Sequence, residues 1–185
     1  MKRIVIAVVG LTGSGKSEAV SRLVEKGFVR IGFNDILYME LDMRGLSHIQ
    51  KNEKPIREEL RTKEGMGVMA VRSLPQIDVI LEKGENVVIE SLYSWSEYKV
   101  IKEKYQNVFK ILAIYAPPEI RYERLSKREV RPLTHEGAKA RDYAEIENIE
   151  KAGPIAIADW TIINVGTKEE LINDVDKLVD GITTS

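Results

Sequence analysis

The residues best equipped for chemistry stand close to the start of the sequence, in Gly10-Leu11-Thr12-Gly13-Ser14-Gly15-Lys16-Ser17. Glycines at these spacings let backbone N–H groups turn inward on an anion with no Cβ in the way. A lysine directly after the last of them can reach the β- and γ-phosphates of a nucleoside triphosphate, and the hydroxyl that follows can ligate Mg²⁺. The expected ATP-binding set is therefore Leu11, Thr12, Gly13, Ser14, Gly15, Lys16 and Ser17. The bland alternative is a coincidental glycine-rich turn. Context argues against it, because the β-branched run from Arg3 to Val9 precedes the loop as a strand. Lys16 to Lys26 follows as a helix with Ala19, Val20, Leu23 and Val24 on one face, and that helix adds partial positive charge at its N-terminus.

Arginines come next. Arg121, Arg124 and Arg128 are spaced i, i+3 and i+7, which would put them on one face of a helix. A salt-bridged, solvated face with Glu119, Glu123 and Glu129 is the competing explanation. After a phosphate loop, a cluster that clamps a transferring phosphoryl group is the better reading. Two carboxylates sit where open α/β sheets place ligands. Asp35 follows the second strand, and a carboxylate there could take the proton of a hydroxyl acceptor. Its other possible role is to cap a helix together with Asn34. Glu90 ends the third strand. An acidic residue at that place can orient Mg²⁺ waters opposite Ser17, and it also belongs on the acceptor side. His48 and His135 have no partners at a recognisable spacing, and Trp95 and Trp160 read as packing or pocket walls.

These residues need a scaffold, and the pattern supplies one. Apolar runs at Phe28 to Gly32, Asn86 to Glu90, Val108 to Ala116 and Trp160 to Val165 join the first to make five strands. Helical patterns separate them: Ile36 to Glu40 with Asn34 as cap, a polar stretch over 44–85 holding Pro55 and Pro75, Ser94 to Tyr105, a charged stretch broken near Arg131-Pro132, and Lys168 to Val179. Strands alternating with helices predict a parallel sheet covered on both faces, a three-layer α/β P-loop NTPase fold. The 185 residues suit one domain, 1–185. Positive and negative side chains nearly cancel to a net charge of -1, so nucleic acid is not an expected partner. The absence of cysteine excludes disulfides and thiolate chemistry. No apolar run reaches the ~18 residues of a membrane span. The apolar N-terminus ends in Gly10 and the phosphate loop instead of a cleavage site, so the expected location is the cytoplasm.

Three groups of phosphate-loop proteins compete. A GTPase would carry an Asn-Lys-x-Asp motif, which is missing; a large ATP-driven machine needs more chain; a small-molecule kinase fits the length. The phosphate loop, the stretch Pro117-Pro118-Glu119-Ile120-Arg121-Tyr122-Glu123-Arg124-Leu125-Ser126-Lys127-Arg128 and the tail from Ile157 to Leu171 together resemble the adenylate kinase and dephospho-coenzyme A kinase group, in order. The middle, from Arg57 through Glu64-Gly65-Met66 to Arg72, is similar to archaeal adenylate-kinase-related proteins. The resemblance implies the strand order 2-3-1-4-5, a helical region over about 35–83 covering the acceptor, and a short LID over about 128–141. It implies that Lys16, Asp35, Arg128 and Arg141 are catalytic, with Arg124 beside the adenine and Arg57, Arg61 and Arg72 on the acceptor. Arg121, farther from the LID, would matter little. One departure stands out. Adenylate kinases have Gly-Phe-Pro-Arg after the third strand, whereas this chain has Glu90-Ser91-Leu92-Tyr93-Ser94-Trp95, without the arginine that holds the AMP phosphate. The implied reaction is Mg²⁺-dependent transfer from ATP to a nucleotide-like acceptor, dephospho-coenzyme A before a nucleoside monophosphate. A nucleotide-binding switch with little turnover is the alternative of another class.

Overall fold

The computed structural model describes residues 3–183, so the 1–185 span extends past it at both ends. Five strands form one parallel sheet in the order β2-β3-β1-β4-β5, as expected. They are β1 (Val5–Val9), β2 (Phe28–Gly32), β3 (Asn86–Glu90), β4 (Phe109–Tyr115) and β5 (Trp160–Ile163). β1 lies at the centre, with Val5 opposite Val87 of β3 and Phe109 of β4. Its unbroken apolar run is sorted by the two-residue period of a strand. Val5, Ala7 and Val9 enter the core on one face, together with Val87, Ile89, Phe109 and Ile111. Ile6 and Val8 enter the core on the other, with Val88, Leu112, Ile114 and Ile162.

Helices α1 (Lys16–Glu25) and α9 (Lys168–Thr183) cover the second face, through Ala19, Val20 and Leu23 and through Leu171, Val175 and Val179. The first face is covered by α2 (Phe33–Met43), α3 (Gln50–Glu64), α4 (Val68–Glu82) and α5 (Trp95–Tyr105). The polar stretch expected over 44–85 is thus two helices, parted at Gly65, whose φ of 92° suits glycine. Pro55 and Pro75 both lie inside them. The charged stretch resolves into α6 (Pro118–Ser126), α7 (His135–Ile149) and the short α8 (Ala152–Ala156). No helix of the described residues is long and apolar enough to cross a membrane.

One local expectation is corrected. Asn34 does not cap α2. The chain passes from β2 straight into α2 at Phe33 with no side-chain cap, and Asn34 Nδ2 donates instead to Ser91 Oγ at 3.3 Å. α5, by contrast, is capped. Ser94 and Glu97 form a capping box, Ser94 Oγ accepting from Glu97 N and Glu97 Oε2 from Ser94 N.

Candidate active site

The phosphate loop leaves β1 between the carboxyl ends of β3 and β4, so the chain following each of these strands converges on it. Packing dictates its glycines. At Gly13, φ is 87° and a Cβ would lie 2.9 Å from Arg121 O. At Gly15, φ is 99° and a Cβ would run into Asn164 Nδ2. That amide donates to Ser14 O at 2.8 Å, so the segment after β5 buttresses the loop. Arg124 supports the same segment, with Nη1 donating to Asn164 O at 3.1 Å and Nη2 to Gly166 O at 3.2 Å. Lys16 is half-buried and donates to Leu11 O at 2.9 Å. Burial, and then the positive charge of Lys151, push its pKa down to about 7. Ser17, in the first turn of α1, has an exposed side chain with no hydrogen-bond partner among the described residues.

The loop opens into a cavity of about 270 Å³ lined by Thr12, Lys16, Tyr93, Arg128, Arg141 and Lys151 among others. Arg128, from the loop after α6, and Arg141, from α7, therefore reach the phosphate loop. Their route differs from the one expected. α6 stops at Ser126, so Arg128 lies in the loop beyond it and shares no helix face with Arg121 and Arg124. The place given to Arg121 is also corrected. Its side chain is 3% exposed, its Nη1 donates to Thr12 O at 3.1 Å, and its two Nη groups bind both oxygens of Asp142 on α7 at 2.8 and 2.6 Å. It is near the loop because α6 starts directly off β4, the neighbour of β1, so the first turn of α6 is the turn that touches the loop.

A second cavity of about 270 Å³ adjoins the first, and Tyr93 and Arg141 line both. Arg57 and Arg61 of α3 project into it, with Glu53, Glu97, Arg131 and Glu145. Arg61 Nε is buried and unpaired. Arg57 lies 3.8 Å from the buried Glu53 carboxylate, and Arg131, between α6 and α7, reaches Glu53 at 3.3 Å. Burial raises the pKa of Glu97, against the pull of the Tyr93 and Ser94 N–H groups. Ser91 turns the chain into this wall at φ 68°, a strained value for a residue with a Cβ and one found at functional turns.

Three expected acceptor residues lie elsewhere. Arg72 lines neither cavity and is held by Glu40 at 3.1 Å and by Glu64. Asp35 and Glu90 are joined by Arg30, whose Nη1 donates to Asp35 Oδ2 at 2.9 Å and whose Nε donates to Glu90 Oε2 at 2.6 Å. An arginine in an otherwise apolar strand was the sequence signal for this residue, which the motif reading passed over. Asn164, Glu145, Arg131 and Lys151 were passed over too, since nothing in their spacing marks them. His48 and His135 do have partners. His48 Nε2 is 2.7 Å from Asp42 and its ring stacks on Tyr38, while His135 lies 3.3 Å from Glu119 and edge-on to Tyr122. Trp95 packs, stacked on Tyr98 at 4.7 Å, and Trp160 packs against the core on the α1–α9 face.

Residues 6–150 match a protein-family profile described as an AAA domain. A UPF0200 protein of Thermococcus gammatolerans is 33% identical over 182 residues, covering 97% of this chain and 95% of its own length. Among solved structures, the dephospho-CoA kinase from Campylobacter jejuni is similar with a TM-score of 0.59 at 18% identity, over 97% of each chain. Shikimate kinase from Bacteroides thetaiotaomicron gives 0.59 at 13% identity, over 96% of this chain and 98% of its own. At those identities the likeness to the two kinases is one of fold.

Proposed function

The chain belongs to the UPF0200 family and carries the AAA domain over residues 6–150, and from that premise we propose that it is an ATP-dependent phosphotransferase acting on a small nucleotide-like acceptor. One observation carries the reading. Lys16, Arg128, Arg141 and Lys151 line a cavity at the phosphate loop, and that cavity adjoins a second one with arginines of its own. Catalysis of phosphoryl transfer is largely positioning and charge neutralisation, and these cations surround the place where the charge would shift. The tail from Ile157 to Leu171, which resembles that of dephospho-coenzyme A kinases, makes a dephospho-coenzyme A-like acceptor the first choice. A nucleoside monophosphate is second. Arg57 and the unpaired Arg61 suit an acceptor bearing phosphate, because a guanidinium can bind two oxygens at once.

Mg²⁺ would find a free hydroxyl at Ser17, whereas Glu90 lines neither cavity and keeps one carboxylate oxygen outside its pair with Arg30, open to a Mg²⁺ water. This metal takes few protein ligands and completes its shell from phosphates and water. Mg²⁺ held there would supply charge neutralisation across the β- and γ-phosphates.

A second reading has an observation in its favour. Asp35, the residue proposed to take a proton from the acceptor, is ion-paired to Arg30, which suits a nucleotide switch with little turnover. ATP consumption by the purified protein separates the two. For the kinase, ATP loss depends on added dephospho-coenzyme A or AMP, and Lys16→Ala abolishes it. ATP loss that ignores every acceptor favours the switch, and unchanged turnover in Lys16→Ala removes both readings.

A further inference from the structure

A carboxylate stands among the cations beside the phosphate loop. The Glu145 side chain on α7 is 12% exposed. Its Oε1 accepts from Thr12 Oγ1 at 2.8 Å and from Arg141 Nε at 3.0 Å, and its Oε2 accepts from Lys151 Nζ at 2.7 Å. The three donors come from three places in the chain: the phosphate loop, α7 itself, and the turn before α8. They meet on one carboxylate much as they would meet on a phosphoryl group.

Lys151 is the more unusual partner. Its side chain is 3% exposed, and its ammonium lies 4.5 Å above the centre of the Tyr93 ring. Glu145 is its only ion-pair partner among the described residues. Yet Lys151 lines the same cavity as Gly13, Lys16 and Ser17, and its charge is felt by Lys16. A buried ammonium needs an anion. Glu145 is that anion. With nucleotide present, a carboxylate beside the phosphates would repel them in a site where charges are poorly screened. The repulsion is relieved if the phosphate takes over the donors and the carboxylate turns away toward the adjoining cavity, which Glu145 already lines.

We propose that Lys151 is a second phosphate-binding lysine of this site, with Glu145 as its place-holder, which a nucleotide phosphate displaces from Lys151 and Arg141. The inference rests on the nucleotide-binding reading above and adds to it a contact residue and an internal competitor. Loss of the competitor strengthens binding of the ligand, whereas loss of the contact weakens it.

Titration calorimetry on the full chain tests this with ATP and with inorganic tripolyphosphate, which carries the phosphates alone. Glu145→Gln keeps the shape and removes the charge, and it should tighten both ligands by about tenfold, the scale of one charged hydrogen bond. Lys151→Met should weaken both by a similar factor, and should still do so in the Glu145→Gln background, because the lost contact is to the ligand. Lys151→Arg should recover part of the affinity. A purely structural lysine would lower the melting temperature in Lys151→Met and leave the dissociation constants alone, which overturns the proposal. Weaker or unchanged binding in Glu145→Gln also overturns it, and decides the matter by itself if Lys151→Met does not fold. If the wild-type chain binds neither ligand, the nucleotide reading is what fails. If it binds both and Lys16→Ala does not, while the Glu145 and Lys151 variants match wild type, the roles given to Lys151 and Glu145 fail and the nucleotide reading stands.

Discussion

Lys16 donates to Leu11 O at 2.9 Å in a loop shaped for anions, and burial together with Lys151 lowers its pKa to about 7. The unfolded chain would hold that proton up to the ordinary value of 10.5, so the folded, empty protein binds fewer protons between about pH 7 and 10.5. The sign follows from linkage. Keeping this ammonium protonated costs stability below about pH 7, and the cost fades as pH rises toward 10.5. Phosphate reverses the local field and restores the proton, so binding takes one up. ATP affinity should therefore fall as pH rises above about 7.5, by up to about tenfold per unit. Dissociation constants measured from pH 7.5 to 9 at constant salt would show it, and Lys16→Arg, charged throughout, should flatten the slope. A wild-type affinity that stays level over that range rules out the depressed lysine.

At the scale of elements, α6 and α7 form a pair pinned beside the phosphate loop. The pin is Arg121, which binds Asp142 with two hydrogen bonds and also donates to Thr12 O and Ala116 O. Tyr122 adds a hydrogen bond to the same carboxylate at 2.8 Å, and Tyr122, Leu125 and Ala138 form a small core of their own. Removing one partner of a buried pair leaves the other uncompensated and costs about 3–5 kcal/mol. Arg121→Ala should thus lower the melting temperature sharply, and not act as the neutral control that its sequence position suggested. Arg128→Ala should do the reverse. Its side chain is exposed in the loop after α6 and lines the phosphate cavity, so stability should hold while kcat falls more than ATP affinity. Thermal melts and kcat with ATP dissociation constants for both variants check the pair. Equal loss of stability in the two would mean that Arg128 also holds the fold.

Across the whole molecule, the parallel sheet gathers its turns at the carboxyl ends of its strands, where the cavity at the phosphate loop and the second cavity adjoin and share Tyr93 and Arg141. Arg131, between α6 and α7, reaches Glu53 of α3, so the two segments touch at the second cavity. Asp35 lies in the first turn of α2, just past β2, in the grip of Arg30. If the acceptor offers a hydroxyl, Asp35→Asn should lower kcat by ~10² or more with ATP affinity near wild type. If it offers a phosphate, already ionised at neutral pH, the loss should be smaller and partly in KM. A large fall in ATP affinity alone would mean that Asp35 serves the nucleotide and not the acceptor.

The five strands, their parallel sense and the phosphate loop were all legible in the chain, whereas the strand order came from the resemblance. A strand buried on both faces must be continuously apolar, a parallel connection needs a helix, and a loop that wraps phosphate needs glycine at spaced positions. Those are local demands, and they leave local marks such as Val5–Val9 and Gly10 to Ser17. The partners of the site's charges left no such marks. Thr12 and Glu145 are 133 residues apart, Asn164 and Ser14 are 150 apart, and Arg121 and Asp142 are 21 apart. An arginine looks the same in sequence whether it faces water, as Arg128 does, or anchors a buried carboxylate, as Arg121 does. Which of the two it becomes depends on the element packed against it. The sequence therefore determined the kind of site, whereas the fold alone decided which charges stand free to meet a ligand and which are already paired.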